Sequence, residues 1–312
     1  MGRDYLGIDT SNYTTSCAIY REGEGIVVNK KQLLPVAESA RGLRQSDAVY
    51  HHSVNLPDML CSALESADGI AAVSASYAPR DEEGSYMPCF RVGTGYARAV
   101  SSALRVPEYE FSHQAGHIAA AVYSTGNSDL VGREFIAFHF SGGTTDALLV
   151  RPDSKRVFAV ENIYTSLDLK AGQAVDRVGV MLGMRFPAGA QLDELACKSE
   201  KKYDVKLYFR SGDVSLSGIE NKCKAMLDKG EEPCDIARYC IDAIRSCAYT
   251  MCMNMRERFG KLPVIFAGGV MSNSIISHDL LQRIDSCSFA QPYYSADNAA
   301  GAAYLGYLKE NL

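Results

Sequence analysis

Two histidines, His113 and His117, lie four residues apart at the start of a segment with a helical pattern. This spacing puts both imidazoles on one helix face about one turn apart, close enough to bind one metal ion. Gln-Ala-Gly lies between them, so the glutamate that acts as general base in HExxH zinc proteases is missing. The pair therefore predicts a metal centre with a third ligand from elsewhere in the chain, and two helix histidines without a metal are the open alternative.

Three turns rich in small and hydroxyl residues could bind a nucleotide. Asp9-Thr10-Ser11 and Ser141-Gly142-Gly143-Thr144 each separate two predicted strands, and Gly268-Gly269-Val-Met-Ser-Asn273 links a predicted strand to a helix. Such turns expose backbone N–H groups that converge on phosphate, and bare glycine backbone lets a purine lie close. Each turn alone is equally typical of ordinary turn chemistry, but their order along the chain favours a nucleotide site.

The composition indicates an ordinary globular protein with 312 residues and a net charge of -5, long enough for two lobes with full cores. It has no 18-residue apolar run and no signal-peptide pattern, so we expect a cytoplasmic protein with no membrane segment. Its ten cysteines are scattered without a CxxC pair, which predicts reduced thiols. The acidic balance argues against tight, autonomous nucleic-acid binding, so an RNA substrate would need a partner protein or a local basic patch.

Hydrophobic periodicity predicts two halves of similar construction. The first half has three strands at about 4–8, 14–20 and 25–34, a helix at 46–67, a strand at 70–77, a helix at 91–104 and the histidine helix. The second half has strands at 134–140, 146–151 and 156–164, helices at 172–182 and about 217–258, a strand at 264–267, and helices at 272–283 and 296–308. Because each half opens with a strand-turn-strand meander, a duplicated α/β architecture with an interlobe cleft is expected.

A chain-long series of motifs then points to one family. The motifs are Leu6-Gly-Ile-Asp-Thr-Ser11, His113-x-x-x-His117, Ser141-Gly-Gly143, Asp168-Leu-Lys-Ala-Gly-Gln-Ala-Val-Asp176, Phe186-Pro-Ala-Gly189, Ser215-Leu-Ser-Gly218, Gly268-Gly-Val-Met-Ser-Asn273 and Ala296-Asp-Asn-Ala-Ala300. In this order they resemble the TsaD/Gcp family, the tRNA threonylcarbamoyladenosine transferases that were formerly called O-sialoglycoprotein endopeptidases (peptidase family M22).

The resemblance implies the α/β actin-like/hexokinase/Hsp70 ATPase (ASKHA) fold. Lobe one would span residues 1–131, with the closing helix 294–312 packed back on it, and lobe two residues 132–293. The resemblance also implies a metal held by His113, His117 and Asp297, which supplies the third ligand. Two imidazoles and one carboxylate suit Fe²⁺ or Zn²⁺, with Mg²⁺ a further option. Without the family, Asp297 would be taken as the N-cap of the last helix.

By the same resemblance, further residues would contact ATP or an acyl-adenylate. They are Asp9, Thr10, Ser11, His139, Phe140, Ser141, Gly142, Gly143, Thr144, Asp168, Gly172, Asp176, Gly189, Gly268, Gly269 and Asn273. Asp176 and Gly189 would take the ribose end and Asn273 the adenine side. Read from the residues alone, Asp176 is a helix-surface acid.

The sequence departs from the family at groups that could move protons. Asn12-Tyr13-Thr14-Thr15 replaces Cys-Asp-Glu-Thr, so both carboxylates are lost, and Thr144 replaces a histidine. Gln173 and Leu169 replace two acids, and residues 78–84 replace a Gly-Pro-Gly loop. Tyr13 or Asp146 could substitute for the lost acids only in part. The chain therefore resembles a divergent member of the family.

Two functions of different classes follow. The first is a metal- and ATP-binding carbamoyl or threonylcarbamoyl transferase acting on an amine, with adenosine in tRNA as the family's acceptor. The alternative is a nucleotide-binding paralogue that senses ATP or serves as a scaffold for a partner, either as a homodimer or with a related protein. Proteolysis lacks a base beside the metal, and phosphotransfer rests on fold analogy alone.

Overall fold

A computed structural model describes residues 2–11, 13–35, 43–297 and 299–312, and Asn12 of the altered motif lies outside them. In the first part of the chain the elements are β1 (Asp4–Asp9), β2 (Thr14–Arg21), β3 (Gly25–Leu33), α1 (Gln45–Leu64), β4 (Ile70–Ala78), α2 (Phe90–Leu104), β5 (Glu108–Ser112) and α3 (His113–Thr125).

The remaining elements are β6 (Phe135–Phe140), β7 (Thr145–Asp153), β8 (Val157–Thr165), α4 (Ala171–Met181), α5 (Gly189–Ala196), β9 (Tyr208–Arg210), β10 (Asp213–Ser215), α6 (Ser217–Asp228), α7 (Pro233–Phe259), β11 (Val264–Ala267), α8 (Ser274–Arg283), β12 (Cys287–Phe289), α9 (Pro292–Ser295) and α10 (Ala300–Asn311). Two short 3₁₀ turns, Ser128–Gly132 and Gly269–Ser272, complete the described secondary structure. No helix among the described residues is long and apolar enough to cross a membrane.

The first sheet has the order β3-β2-β1-β4-β5. Short turns join β1, β2 and β3, which pair antiparallel and confirm the predicted meander. β1, β4 and β5 pair in parallel, because α1 and α2 provide the long crossovers that parallel neighbours need. Leu6 and Ile8 of β1 face the α1 side, where they pack with Leu56 and Leu60.

The second sheet repeats this order with β8-β7-β6-β11-β12. β6 pairs antiparallel with β7, and β11 pairs in parallel with β6 and β12. Its core includes Phe138, Phe140 and Phe266, together with the buried faces of α4 to α8. Rings of Phe138 and Phe266 stack with centroids 4.9 Å apart, which fixes β11 beside β6.

The described chain divides into two compact units. The first comprises residues 1–131, 152–160 and 296–312, and the second residues 132–151 and 161–295. The first unit contains the first sheet, and the second unit contains the second sheet apart from the end of β7 and the start of β8.

Several element boundaries differ from those predicted. The long helical stretch after residue 217 is two helices, α6 and α7, because Gly230 with φ +73 ends the first and Pro233 begins the second. The last helix begins at Ala300 instead of residue 296. The α5 helix, the β9–β10 hairpin, β12 and α9 had no sequence prediction, since they are short and lack a clear period.

Candidate metal centre and nucleotide-binding turns

The two predicted ligand histidines lie in the first turns of α3. Ser112 caps this helix, and its side chain accepts a hydrogen bond from Ala115 N. The ring centroids of His113 and His117 are 4.4 Å apart, with the planes at 75°. The structure therefore places both imidazoles on one helix face, as their spacing predicts.

Asp297 completes a three-residue cluster. Its Oδ1 lies 3.6 Å from His113 Nε2 and 3.3 Å from His117 Nε2. The three ligand atoms all lie within 4.8 Å of one another. With metal bonds of about 2.1 Å, two ligands at a tetrahedral angle are about 3.4 Å apart. The donors and their spacing fit one small divalent cation, with coordination positions left for other ligands.

Asp297 does not cap the final helix, so the alternative reading of this residue from sequence alone was wrong. The N-cap of α10 is Ala299, and the helix itself begins at Ala300. Asp297 precedes the helix in a bend, where its carboxylate faces the histidines.

A close contact between α3 and α10 brings Asp297 to the histidines. Gly116 lies between the two ligands on α3, and an added Cβ at Gly301 on α10 would lie 1.8 Å from Gly116 O. At Gly116, in contrast, a Cβ would meet only Ala302 N at 4.0 Å. The absence of a side chain at Gly301 therefore sets the helix separation that the cluster needs.

Asp9 lies directly behind His113. It is 2% exposed, and its Oδ2 is 2.7 Å from His113 Nδ1. The same carboxylate accepts hydrogen bonds from Ser76 Oγ at 2.5 Å and from Ser11 N at 2.9 Å. The carboxylate thus faces protein groups on several sides, a contact set that the sequence analysis missed because Ser76 is distant in the chain.

Charge pairing dominates the electrostatics of this cluster. Burial lowers the pKa of His113, but the charges and hydrogen bonds of Asp9 and Asp297 outweigh it and raise this pKa to about 10. Burial raises the pKa of Asp297, whereas His113 and His117 together hold it well below its usual value. The metal-free cluster is therefore an ion-pair network, in which a proton on His113 provides positive charge.

The other two residues of the first turn are also buried. Thr10 Oγ1 donates to Cys89 O at 2.9 Å and accepts from Gly93 N at 3.1 Å, so its hydroxyl ties β1 to the start of α2. Ser11 is 2% exposed, and its Oγ has no hydrogen-bond partner within the described residues. Ser11 is therefore the residue of this turn whose hydroxyl could still bind a ligand.

In the second unit, the turn after β6 is closed by its own hydrogen bonds. Ser141 N donates to Thr144 O at 2.8 Å, and Ser141 Oγ accepts from Thr144 N at 3.2 Å and from Gly143 N at 3.3 Å. Gly142 and Gly143 are exposed, and a Cβ on either would meet nothing within 4 Å. The loop therefore has room for an anion beside its backbone.

Two other predicted glycines contact this turn or the adjoining strand. A Cβ at Gly172 would lie 2.6 Å from Gly142 N, so the first turn of α4 packs against the loop. Gly268 has φ +95, and its added Cβ would lie 2.2 Å from Phe140 O, next to His139. Gly269 is exposed with free space around it. The structure thus brings the Ser141 turn, Gly172 and Gly268 together by direct contact.

The Asp168 carboxylate accepts hydrogen bonds from residues at the start of α6. It accepts hydrogen bonds from Leu216 N at 2.8 Å, Ser215 Oγ at 2.6 Å and, more weakly, Ser217 N at 3.3 Å. It therefore ties the start of α4 to the start of α6, a structural use that the sequence analysis did not predict.

Three further predicted residues lie in or beside helices of the second unit. Asp176 is within α4, Gly189 begins α5, and Asn273 is the N-cap of α8. Asp176 Oδ1 accepts from Ala188 N at 2.8 Å, so it is engaged with the backbone and is not a free surface acid. Burial raises the pKa of Asp176, and its bond from Ala188 N opposes this only in part. Gly189 follows Ala188, and Asn273 caps α8 by accepting from Ile276 N at 3.0 Å.

The positions that depart from the family have structural uses. Leu169 is 6% exposed in the core, and Gln173 Oε1 accepts from Lys170 N at 3.2 Å. Asp146 is 1% exposed and accepts from Thr165 Oγ1 at 2.7 Å. Tyr13 is 36% exposed. Of the two substitutes considered for the missing acids, only Tyr13 therefore reaches solvent directly.

Comparison with solved structures defines the class. Component A of (R)-2-hydroxyglutaryl-CoA dehydratase from Acidaminococcus fermentans superposes with a TM-score of 0.56 at 18% identity, covering 99% of this chain and 100% of that one. HypF from T. kodakarensis has a TM-score of 0.65 at 14% identity, over 99% of this chain and 48% of HypF. A ROK family glucokinase from Streptomyces griseus gives 0.54 at 13% identity, over 99% and 100% of the chains. The α/β actin-like/hexokinase/Hsp70 ATPase (ASKHA) fold is confirmed.

Comparison by sequence defines the family. The family described as TsaD, tRNA N6-adenosine threonylcarbamoyltransferase, matches residues 32–304, and this chain belongs to it. Proteins named tRNA N6-adenosine threonylcarbamoyltransferase from Archaeoglobus fulgidus and Methanopyrus kandleri are 26% and 25% identical. The alignments cover 97% of this chain in both cases, and 90% and 86% of those proteins.

Proposed function

We propose that this protein is a metal- and nucleotide-dependent transferase. It would move a carbamoyl or threonylcarbamoyl group from an acyl-adenylate to an amine, with adenosine in tRNA as the acceptor that the names of its relatives suggest. The convergence of His113, His117 and Asp297 in a chain of this family is the observation that carries the proposal.

The three ligands favour a particular kind of metal. Two imidazole nitrogens and one carboxylate oxygen suit Fe²⁺ or Zn²⁺, whereas Mg²⁺ prefers a shell of oxygens alone. When bound, such an ion would supply a Lewis acid for phosphate and carbonyl oxygens. His113, His117 and Asp297 would hold it. In the second unit, the exposed Gly142 and Gly143 would let an anionic group approach the backbone of their own turn.

The transfer requires one proton to leave the acceptor. The amine nitrogen forms a bond to the carbonyl carbon of the mixed anhydride, the bond from that carbon to the phosphate oxygen breaks, and AMP departs with the electron pair. In this chain Asp146 is buried against Thr165, so Tyr13 is the exposed titratable group next to the altered turn. Release of the amine proton to water, directly or through Tyr13, is consistent with these positions.

The direct experiment is a transfer assay. Purified protein is incubated with tRNA, threonylcarbamoyl-adenylate and Fe²⁺, and the modified nucleoside is measured by mass spectrometry. We expect product above a no-protein control, and loss of product in the His113→Ala/His117→Ala double variant. Absence of product with tRNA and also with small amine acceptors would reject the transferase.

The alternative is a nucleotide-sensing protein that binds ATP and a metal and reports this to a partner. The observation in its favour is that the acidic pair is lost at Tyr13 and Thr14 while all three metal-ligand positions persist. Calorimetry with ATP separates the two functions. Tight binding of ATP without turnover of any acyl donor supports the sensor, whereas turnover rejects it as the sole function.

A further inference from the structure

The ring of His113 is supported from behind by two residues on neighbouring strands. Asp9 ends β1, and Ser76 lies near the end of β4, where the register pairs Ile8 with Ala75. Both side chains are buried, with 2% and 1% exposure. Asp9 Oδ2 lies between Ser76 Oγ at 2.5 Å and His113 Nδ1 at 2.7 Å. Parallel pairing of β1 and β4 thus brings the Ser76 hydroxyl to the carboxylate that contacts the imidazole.

We propose that Asp9 and Ser76 are positioning residues that prepare His113 to bind a metal. A neutral imidazole donates one N–H, so the hydrogen bond from Nδ1 to Asp9 leaves the lone pair on Nε2. That nitrogen faces Asp297. Carboxylates behind metal-bound histidines fix the tautomer and the ring orientation and increase the basicity of the ligand.

Ser76 acts one step further from the ligand. Its hydroxyl donates to the oxygen of Asp9 that contacts the ring, while Ser11 N donates to the other oxygen. The two bonds hold the carboxylate at the orientation in which Oδ2 meets Nδ1. Without the hydroxyl the carboxylate could rotate, and His113 would lose its fixed partner.

The loop after β4 secures the backbone of the same histidine. Gln114 N donates to Pro79 O at 3.0 Å, and Ser112 Oγ donates to Asp81 Oδ2 at 2.9 Å. Ser112 is also the N-cap of α3. This loop belongs to residues 78–84, which replace the Gly-Pro-Gly loop of the resembled family. In this chain, therefore, β4 and its loop position both the ring and the helix turn that carries it.

The inference rests on the proposed function in one respect, since it requires a metal at the cluster. The test uses Co²⁺ as the probe with the full chain. Its affinity is measured by competition with a chromophoric chelator, and its ligand field by visible absorption. The variants are Asp9→Asn, Ser76→Ala and Ser76→Thr. Ser74→Ala is the control, because Ser74 is buried two residues earlier on the same strand and face, and its hydroxyl lacks a hydrogen-bond partner within the described residues.

We expect Asp9→Asn to weaken Co²⁺ binding about 10–100-fold, because an amide that donates toward Nδ1 would move the ring proton to Nε2. Ser76→Ala should weaken binding roughly 3–10-fold and shift the absorption bands, as an outer partner of the carboxylate is lost. Ser76→Thr, which keeps the hydroxyl, should recover most of the affinity. Ser74→Ala should match the wild type.

Two results have distinct meanings. If the wild type binds Co²⁺ and the folded Asp9→Asn and Ser76→Ala variants bind it with equal affinity and an unchanged spectrum, the positioning role is wrong and the proposed function stands. If the wild type itself binds no Co²⁺, the metal-dependent function and this inference are both rejected. Thermal unfolding of each variant verifies that a loss of affinity is not a loss of fold.

Discussion

The two units use one strand order for different purposes at the turn after their first strand. In the first unit, Asp9, Thr10 and Ser11 are all buried, and Asp9 and Thr10 bond to other elements of that unit. In the second unit, Gly142 and Gly143 are exposed, and their turn is closed by its own hydrogen bonds. The same topology therefore supports a buried cluster of side chains in one unit and an exposed glycine turn in the other. The local residues at the turn, and not the sheet, decide which chemistry each unit can offer.

Close glycine contacts also differ between the two units. In the first unit the contact of Gly301 with Gly116 adjoins the metal cluster, because Gly116 directly precedes His117 on α3. In the second unit the contact of Gly172 with Gly142 fixes the shape of a loop. A close helix contact in the first unit should thus affect metal binding, whereas the Gly172 contact in the second unit should not.

The largest expected effect is loss of metal binding from the first unit. The cluster of His113, His117 and Asp297 is the group of potential metal ligands found among the described residues. We expect the His113→Ala/His117→Ala variant to bind Co²⁺ at least ~100-fold more weakly, because two of three ligands are removed. His278→Ala, at an exposed histidine of the second unit that contacts Gln282, is the control and should bind normally. Retention of one tight Co²⁺ equivalent by the double variant would contradict the comparison.

The next effect is on helix packing in the first unit. Gly301→Ala would place a Cβ 1.8 Å from Gly116 O, so α10 must move away from α3. We expect the free energy of unfolding to fall by roughly 1–3 kcal/mol, and metal affinity to fall with it as Asp297 withdraws. Gly116→Ala is the matched control, since its Cβ meets only Ala302 N at 4.0 Å.

That control should be neutral or stabilising by up to ~1 kcal/mol, as alanine favours a helix interior over glycine. Urea denaturation and Co²⁺ titration of both variants provide the measurements. Equal effects of Gly116→Ala and Gly301→Ala would show that the contact is not the one that sets the helix separation.

A third test follows from the ion pairs of the metal-free cluster. The pKa of His113 is raised to about 10 in the folded state, so its stabilising contribution is full below the unfolded value of about 6.5. It is lost as the pH rises through the folded value. We expect chelator-treated protein to lose ~1–2 kcal/mol of stability between neutral pH and pH 10 as the charged hydrogen bonds disappear. His113→Ala should flatten this slope, whereas an unchanged slope would contradict the ion-pair assignment.

The smallest effect concerns Asp168 in the second unit. Desolvation raises the pKa of Asp168, but hydrogen bonds from Ser215, Ser217 and backbone N–H groups outweigh it and hold the pKa below its usual value. Its contribution is therefore present above pH ~4 and lost as the pH falls further. Asp168→Asn should cost ~1 kcal/mol at pH 7, with the difference from wild type shrinking in acid.

Asp228→Asn, at an exposed acid that ends α6, is the control for this experiment and should have little effect. Neither change should alter Co²⁺ affinity, because both lie in the second unit. Altered metal binding in Asp168→Asn would show that the two units are coupled in a way that the local contacts do not predict.

Sequence patterns predicted most of the long elements because their signals are local. The antiparallel meanders, β11 and the histidine helix all followed from periodicity and turn residues. The start of α10 was placed four residues too early, since Ala296, Ala299 and Ala300 are strong helix formers. Nothing local in that pattern indicates that Asp297 faces α3 instead of capping its own helix.

By itself the sequence determined the spacing of His113 and His117, the glycine-rich turns and the order of motifs, because these depend on neighbours within a few residues. Only the tertiary structure decided that Asp297 meets the histidines, that Ser76 supports Asp9, and that Asp168 serves a helix terminus. Those contacts depend on strand register and on the packing distance between helices, which arise from residues far apart in the chain and cannot be read from any one segment.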